Sequence, residues 1–442
     1  MYKVLVINPY ITDFKLYDEW MHPSGLYFLI DCLKRNGIQT YYFNCLKQVS
    51  KPKKHGTGSF MSLEIKKPSL YKNIKRKYKL YGRPQSELIN FLSDIDDPDL
   101  VCIGTMMTYW APGVIQTIKI IKEQLPNVPV IIGGIAARLF SHYFKNRLPG
   151  CITSDSILTT NRINLPQPVH SALKALSKPT SLLGGLECLD HATHGPVLLS
   201  FGCPMKCSYC ASRVLQKDFY HRSIKTTIRE ILYLNERFGV SDFAFYDDAL
   251  LVKPDQVLIP FLKKINEYRI PFRFHTPNGL HLQFITEEIS DLMKENGFKT
   301  IRLGFESGSK KYADDTNYKS GFDMLEKKFS ILQKSGFDKN DIGVYIMGGL
   351  KDQKPLEMLK EMKYAGSLGI KIKPVFLSPV PHTELFKYYS HFFPQIKSDP
   401  LWHNDTFFIT SLAQWDFDSV EMIRKKSREI NQVNSCRPAG NL

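Results

Sequence analysis

Three thiols fall within eight residues of one another in Gly202-Cys203-Pro-Met-Lys-Cys207-Ser-Tyr-Cys210, a C-x3-C-x2-C spacing. Three thiolates on one short loop can hold three irons of a [4Fe-4S] cluster and leave the fourth iron without a protein ligand. An open metal position admits a substrate or cofactor, so the pattern reads as catalytic. The alternative is a zinc site completed by His191, His194 or His221. Zinc favours four fixed ligands, and C-x2-C pairs at two separated places are its commoner pattern. The nine cysteines of the chain are an odd count. With this clustering they argue against a secreted disulfide framework and for a reducing compartment, which reads as cytoplasmic. Cys32, Cys45, Cys102, Cys151 and Cys188 lie in apolar or linker settings and read as core packing.

The elements that must carry this loop come in two alternations of strand and helix. The first begins with the apolar run Lys3 to Asn8, followed by a helix that Ser24 can cap and Gly37 can close, then a strand around Gln39 to Phe43. Further strands are expected over Asp99 to Thr105 and Val128 to Ile132, with an amphipathic helix from Pro112 to Glu123 between them. This order predicts a doubly wound, Rossmann-like domain over 1-145, interrupted by a basic insertion at 47-95. Periodicity fades over 146-194, which reads as a linker. From 195 to 382 six strand-helix units follow, with strands near 197-202, 241-246, 271-276, 299-305, 341-347 and 371-377. They predict a partial (β/α)6 barrel of the TIM type, with its chemistry on the loops after the strands. A C-terminal extension over 383-442 carries a helix around Val420 to Asn431.

Residue for residue, Cys203, Cys207 and Cys210 resemble the signature of the radical S-adenosylmethionine (SAM) superfamily, C-x3-C-x-aromatic-C, with Tyr209 at the aromatic position. The other strand ends agree: Tyr246-Asp247-Asp248, Thr276-Pro277-Asn278-Gly279, Gly304-Phe305-Glu306-Ser307-Gly308, Met347-Gly348-Gly349-Leu350 and Ser378-Pro379. The resemblance implies that the three cysteines hold the cluster and that its open iron takes the amino and carboxylate groups of SAM. One electron, from a flavodoxin- or ferredoxin-type donor, then cleaves SAM to a 5′-deoxyadenosyl radical. It also implies that Tyr209, Asp247, Asn278, Gly304, Glu306, Ser307 and Gly348 bind SAM. A carboxylate suits an ammonium group or ribose hydroxyls, and Gly permits close backbone approach.

The first domain, with Val-Ile-Asn-Pro9, His22-Pro23-Ser24-Gly25-Leu26 and Gly133-Gly134, resembles the cobalamin-binding domain fused to many radical SAM enzymes. The resemblance implies cobalamin as a further candidate cofactor. In proteins that ligate cobalt through histidine the motif is D-x-H-x-x-G, whereas here Asp18 stands four before His22 and Trp20 takes the aspartate position. The corrin is then expected base-off, held by Thr105, Thr108, Gly133 and Gly134. Methyl transfer to an unactivated carbon of a small molecule, lipid or peptide is the leading function. A cobalamin-independent rearrangement, dehydrogenation or coupling enzyme is the first alternative. The net charge of +16 is concentrated between Lys47 and Arg83, where twelve Lys or Arg meet one Glu. A solvated basic loop is the ordinary reading of such a window, and an RNA-modifying factor gripping phosphates is the second alternative. No apolar run approaches the ~18 residues of a membrane span, and the apolar stretch from Met1 to Asn8 is too short for a secretory signal.

Overall fold

The computed structural model describes residues 1–49, 52–153, 165–312 and 321–436. Lys51 of the basic window and residues 154–164 of the expected linker lie outside the described residues. The chain forms two compact units. The first is built from Met1–Thr193, Leu232–Gly239 and Phe393–His403, and the second from His194–Ile231, Val240–Phe392 and Asn404–Leu442. Among the described residues, no helix is long and apolar enough to cross a membrane.

In the first unit, strands β1 (Lys3–Asn8), β3 (Gln39–Asn44), β6 (Leu100–Ile103), β7 (Val130–Ile132) and β8 (Cys151–Thr153) form a parallel sheet in the order β3-β1-β6-β7-β8. Successive residues of β1 feed opposite cores. Leu5 and Ile7 pack with Val101, Ile103 and the helix Ala111–Gln124, while Val4 and Val6 pack with Leu100, Cys102 and the helix Ser24–Arg35. All four β1 side chains are fully buried, each worth about 1.5–3 kcal/mol. The strand order reverses between β1 and β6, so the loops after these strands flank the switch point where doubly wound sheets bind ligands.

Three expectations are corrected here. Ser24 does not cap its helix; Pro23 holds the cap position and its carbonyl accepts from Leu26 N at 2.8 Å. The stretch 146–194 is no bare linker. It supplies β8 and the helices Gln167–Ala175 and Leu183–Leu186, which pack on the helix Ser24–Arg35. The second of these contacts escapes periodicity because it runs through glycine: a Cβ on Gly185 would lie 2.2 Å from Tyr27 Cα. The basic insertion is also folded, its strands β4 (Ser62–Glu64) and β5 (Lys79–Tyr81) pairing with β2 (Ile11–Asp13) as an antiparallel sheet, β2-β5-β4.

The extension is divided. Phe393–His403 belongs to the first unit, where His403 is fully buried, its Nδ1 2.8 Å from Thr108 Oγ1 and its ring against Phe140. The helix Phe417–Cys436 lies in the second unit and packs on the last barrel strand.

That second unit carries six parallel strands in the order β17-β16-β15-β13-β12-β9. They are β9 (Gly195–Val197), β12 (Asp242–Phe245), β13 (Arg273–His275), β15 (Phe298–Glu306), β16 (Ile342–Gly348) and β17 (Lys371–Phe376). Helices connect them, and Phe243, Phe245, Phe274 and Phe298 fill the interior beneath. Two short additions frame the first and third strand ends. β10 (Ser200–Phe201) pairs with β11 (Tyr220–His221), and β14 (Leu280–His281) adds to β15.

Candidate active site

The carboxyl ends of the barrel strands surround a cavity of about 360 Å³ lined by Cys203, Cys207, Tyr209, Cys210, Asn278, Gly304 and Glu306. This size suits a small-molecule or cofactor site. Seven of the expected residues therefore meet at one place.

The cysteine loop hangs from a clamped root. Asp247 accepts from Leu199 N at 3.1 Å and from Ser200 N and Ser200 Oγ at 2.6 Å. Arg222 donates to Leu198 O and pairs with Glu230 at 2.6 Å, with both side chains buried. Gly202 turns the chain into the loop at φ +78°, and a Cβ there would lie 2.6 Å from Asp218 O. Burial pushes the thiol of Cys203 up to about 11 and that of Cys207 to about 12, with the charge of Cys210 adding to each. A bound cationic cluster would supply the compensating charge.

Three thiols on one loop lining one cavity suit a cluster in which each cysteine holds its own iron and the fourth iron stays open.

Glu306 ends β15 at a register shift between Gly304 and Glu306, with φ +61°. A bulge re-aims a side chain, and here it turns a carboxylate into the cavity. Burial raises its pKa to about 7, against the lowering effect of the hydrogen bond from Tyr209. A carboxylate held in left-handed backbone and low dielectric suits an ammonium ligand.

Three expected SAM contacts lie elsewhere. Asp247 is buried, with its pKa raised to about 6 by burial, and its carboxylate serves the Leu199–Ser200 backbone. Its neighbour Asp248 faces the cavity instead. Ser307 donates to Glu361 at 2.6 Å and accepts from Ser309 N, fixing its own loop. Gly348 lies outside the cavity lining, where a Cβ would press on Met358, Phe376 and Trp415. Sequence reasoning missed Arg213, His281, Tyr345 and Met347 on the cavity wall. Met347 opens a quoted strand-end motif and His281 lies two residues past Gly279 in another, so these two carried a usable signal.

The first unit presents its own candidate ligand edge. Gly134 has φ +95°, and a Cβ there would lie 2.3 Å from Thr105 O, so the loops after β6 and β7 touch through backbone. Thr105 Oγ1 donates to Gly133 O and accepts from Ala137 N, while Thr108 bonds to His403. Both hydroxyls thus shape the edge from inside, a correction to their expected role as direct corrin contacts. Met106, Met107 and Ile135 are the exposed groups there, an apolar rim that fits the flat body of a corrin. His22 bonds through Nδ1 to Tyr27, and Asp18 serves Met21 N and Gln48.

A doubly wound domain joined to a parallel barrel sheet, with three thiols on the loop after the first barrel strand, defines a class of iron–sulfur enzyme. Residues 197–362 match the Radical SAM superfamily, a domain that implies a [4Fe-4S] cluster and SAM. It is 23% identical over 201 residues to an uncharacterised methyltransferase of Pyrococcus horikoshii, covering 45% of this chain and 42% of that one. It is 24% identical over 454 residues to cytidylyl-2-hydroxyethylphosphonate methyltransferase of Streptomyces wedmorensis, covering 87% and 81%. In fold it is similar to the radical SAM methyltransferase TsrM of Kitasatospora setae, solved with cobalamin and a [4Fe-4S] cluster. The TM-score is 0.60 at 12% identity, with 90% of this chain and 76% of that one covered.

Proposed function

We propose that this protein is a radical SAM methyltransferase that uses cobalamin and transfers a methyl group to an unactivated carbon of a small molecule. The observation that carries the reading is one cavity holding Cys203, Cys207, Cys210 and Glu306. The methyltransferase relative aligned over 87% of the chain supports the reaction type. When bound, the cluster and SAM supply the electron transfer and the radical, and the corrin supplies a methyl carrier. The chain's own residues do the rest. The cysteines fix the cluster on a clamped loop, Glu306 and Asp248 offer negative charge to the SAM ammonium or ribose, and Tyr209 orients Glu306 by its hydrogen bond. An external one-electron donor of flavodoxin or ferredoxin type completes the system.

Anoxic reconstitution tests the proposal. About four irons and four sulfides should bind at one site and be lost when Cys203, Cys207 and Cys210 are replaced together by alanine. Stoichiometric zinc in place of iron would refute the cluster. Absorbance then reports corrin uptake. A protein that holds the cluster and cleaves SAM but takes up no corrin is the cobalamin-independent alternative.

A further inference from the structure

His281 lies on β14, the two-residue strand that adds to β15 with Leu280 opposite Leu303 and His281 opposite Gly304. The approach to this strand is held at several points. Tyr345 donates to Pro277 O at 2.7 Å, and Asn278 donates to Tyr246 O and Asp247 O. Gly279 passes so close to β15 that a Cβ would lie 2.9 Å from Gly304 N. The result is an imidazole carried on a fixed backbone to the cysteine loop, with Nε2 3.9 Å from Cys203 Sγ. The same segment touches that loop again, Gln283 Nε2 lying 3.8 Å from Met205 Sδ.

We propose that His281 donates an Nε2–H···Sγ hydrogen bond to Cys203 when that cysteine ligates the cluster, and thereby sets the cluster's reduction potential. The inference rests on the cluster reading above. Hydrogen bonds to cluster sulfurs are among the levers by which proteins tune such potentials. The sign follows from charge. Reduction adds an electron to a centre already bearing thiolates, and a donor at one sulfur stabilises the more negative state. His281 therefore makes the cluster easier to reduce. It is a positioning and tuning residue, acting through Cys203.

Wild-type protein, His281→Phe and His281→Gln, each reconstituted anoxically, test this by redox titration of the cluster signal with iron and sulfide counted in parallel. Phe keeps the ring volume without a donor, and Gln keeps an N–H near the Nε2 position. The expected result is equal cluster content, a reduced-to-oxidised ratio at fixed potential about tenfold lower in His281→Phe, equivalent to about 59 mV for a one-electron couple, and a near-wild-type ratio in His281→Gln. Equal potentials in all three would overturn the inference while leaving the cluster in place. A wild-type protein without iron would overturn the cluster reading itself. If His281→Phe takes up no cluster, nuclear double resonance on the reduced wild-type cluster with ¹⁵N-labelled histidine decides. A weakly coupled, exchangeable nitrogen-bound proton supports the bond; its absence, or the strong coupling of a nitrogen bound to iron, overturns it.

Discussion

Glu306 combines two costs that proteins seldom accept without a use, left-handed backbone on a side chain with a Cβ and burial of a carboxyl group. Its pKa of about 7 lies above the ordinary 4.5. The folded apoprotein thus holds a proton that the unfolded chain releases, and stability falls as pH rises between about 4.5 and 7. Glu306→Gln should remove that part of the slope and make the apoprotein about 3 kcal/mol more stable at pH 8, as denaturant titrations at pH 5 and pH 8 would read. SAM binding should move the opposite way. Its ammonium favours the carboxylate, so affinity in the wild type should climb with pH through 7, whereas Glu306→Gln should bind roughly 10–100-fold more weakly and without that climb. A pH-independent wild-type affinity would remove Glu306 from the SAM site. His22, tied to Tyr27, should leave the electron paramagnetic resonance of bound Co(II) free of nitrogen splitting, unchanged in His22→Ala. The cysteine triplet was legible at this scale because ligand spacing is written along one loop. The choice between Asp247 and Asp248 was not, since neighbours at a strand end point to opposite sides and only the fold says which side is the cavity.

At the scale of elements, the root of the cysteine loop shows how local backbone controls a site. Gly202→Ala would force a Cβ against Asp218 O at a left-handed position, costing about 1–3 kcal/mol. Iron bound per chain should fall in the same variant, and full occupancy at wild-type stability would show that the loop tolerates a different entry. The longer barrel strands and helices could be read from the sequence because they show their period, as in β15 or the helix Ile224–Phe238, and the three-residue β9 and β13 were found from their apolar character and their place in the alternation. What escaped was short or non-local. β10, β11 and β14 have two residues each, too few for any pattern. The pairing of Ile11–Asp13 with Lys79–Tyr81 joins three-residue strands far apart in the chain, and periodicity carries no information about that partner choice.

For the whole molecule, the charge distribution separates the leading function from its nucleic-acid alternative. Lys66, Lys72 and Lys75 stand exposed on the basic insertion. If the window gripped single-stranded RNA, binding would weaken with salt at a slope of about −0.7 per phosphate contacted, and reversing these three charges would flatten it. The expected result is weak RNA binding, with cluster content and SAM cleavage unaffected by the reversal; a steep slope that the reversal flattens would favour the RNA reading. The sequence could not show that Phe393–His403 belongs with the first unit, because its hold there runs through contacts between residues far apart in the chain, such as Tyr71 to Leu401 O, Thr108 to His403 and His142 to Lys397 O. That return has a consequence on the ribosome. Phe393 is made 200 residues after Thr193, a delay of about 10–40 s at the usual pace of synthesis. During that interval the nascent first unit lacks the segment that later bonds Tyr71 and Thr108 and covers Phe140, so its earliest compact form should remain open to chaperones and proteases until the barrel has been translated.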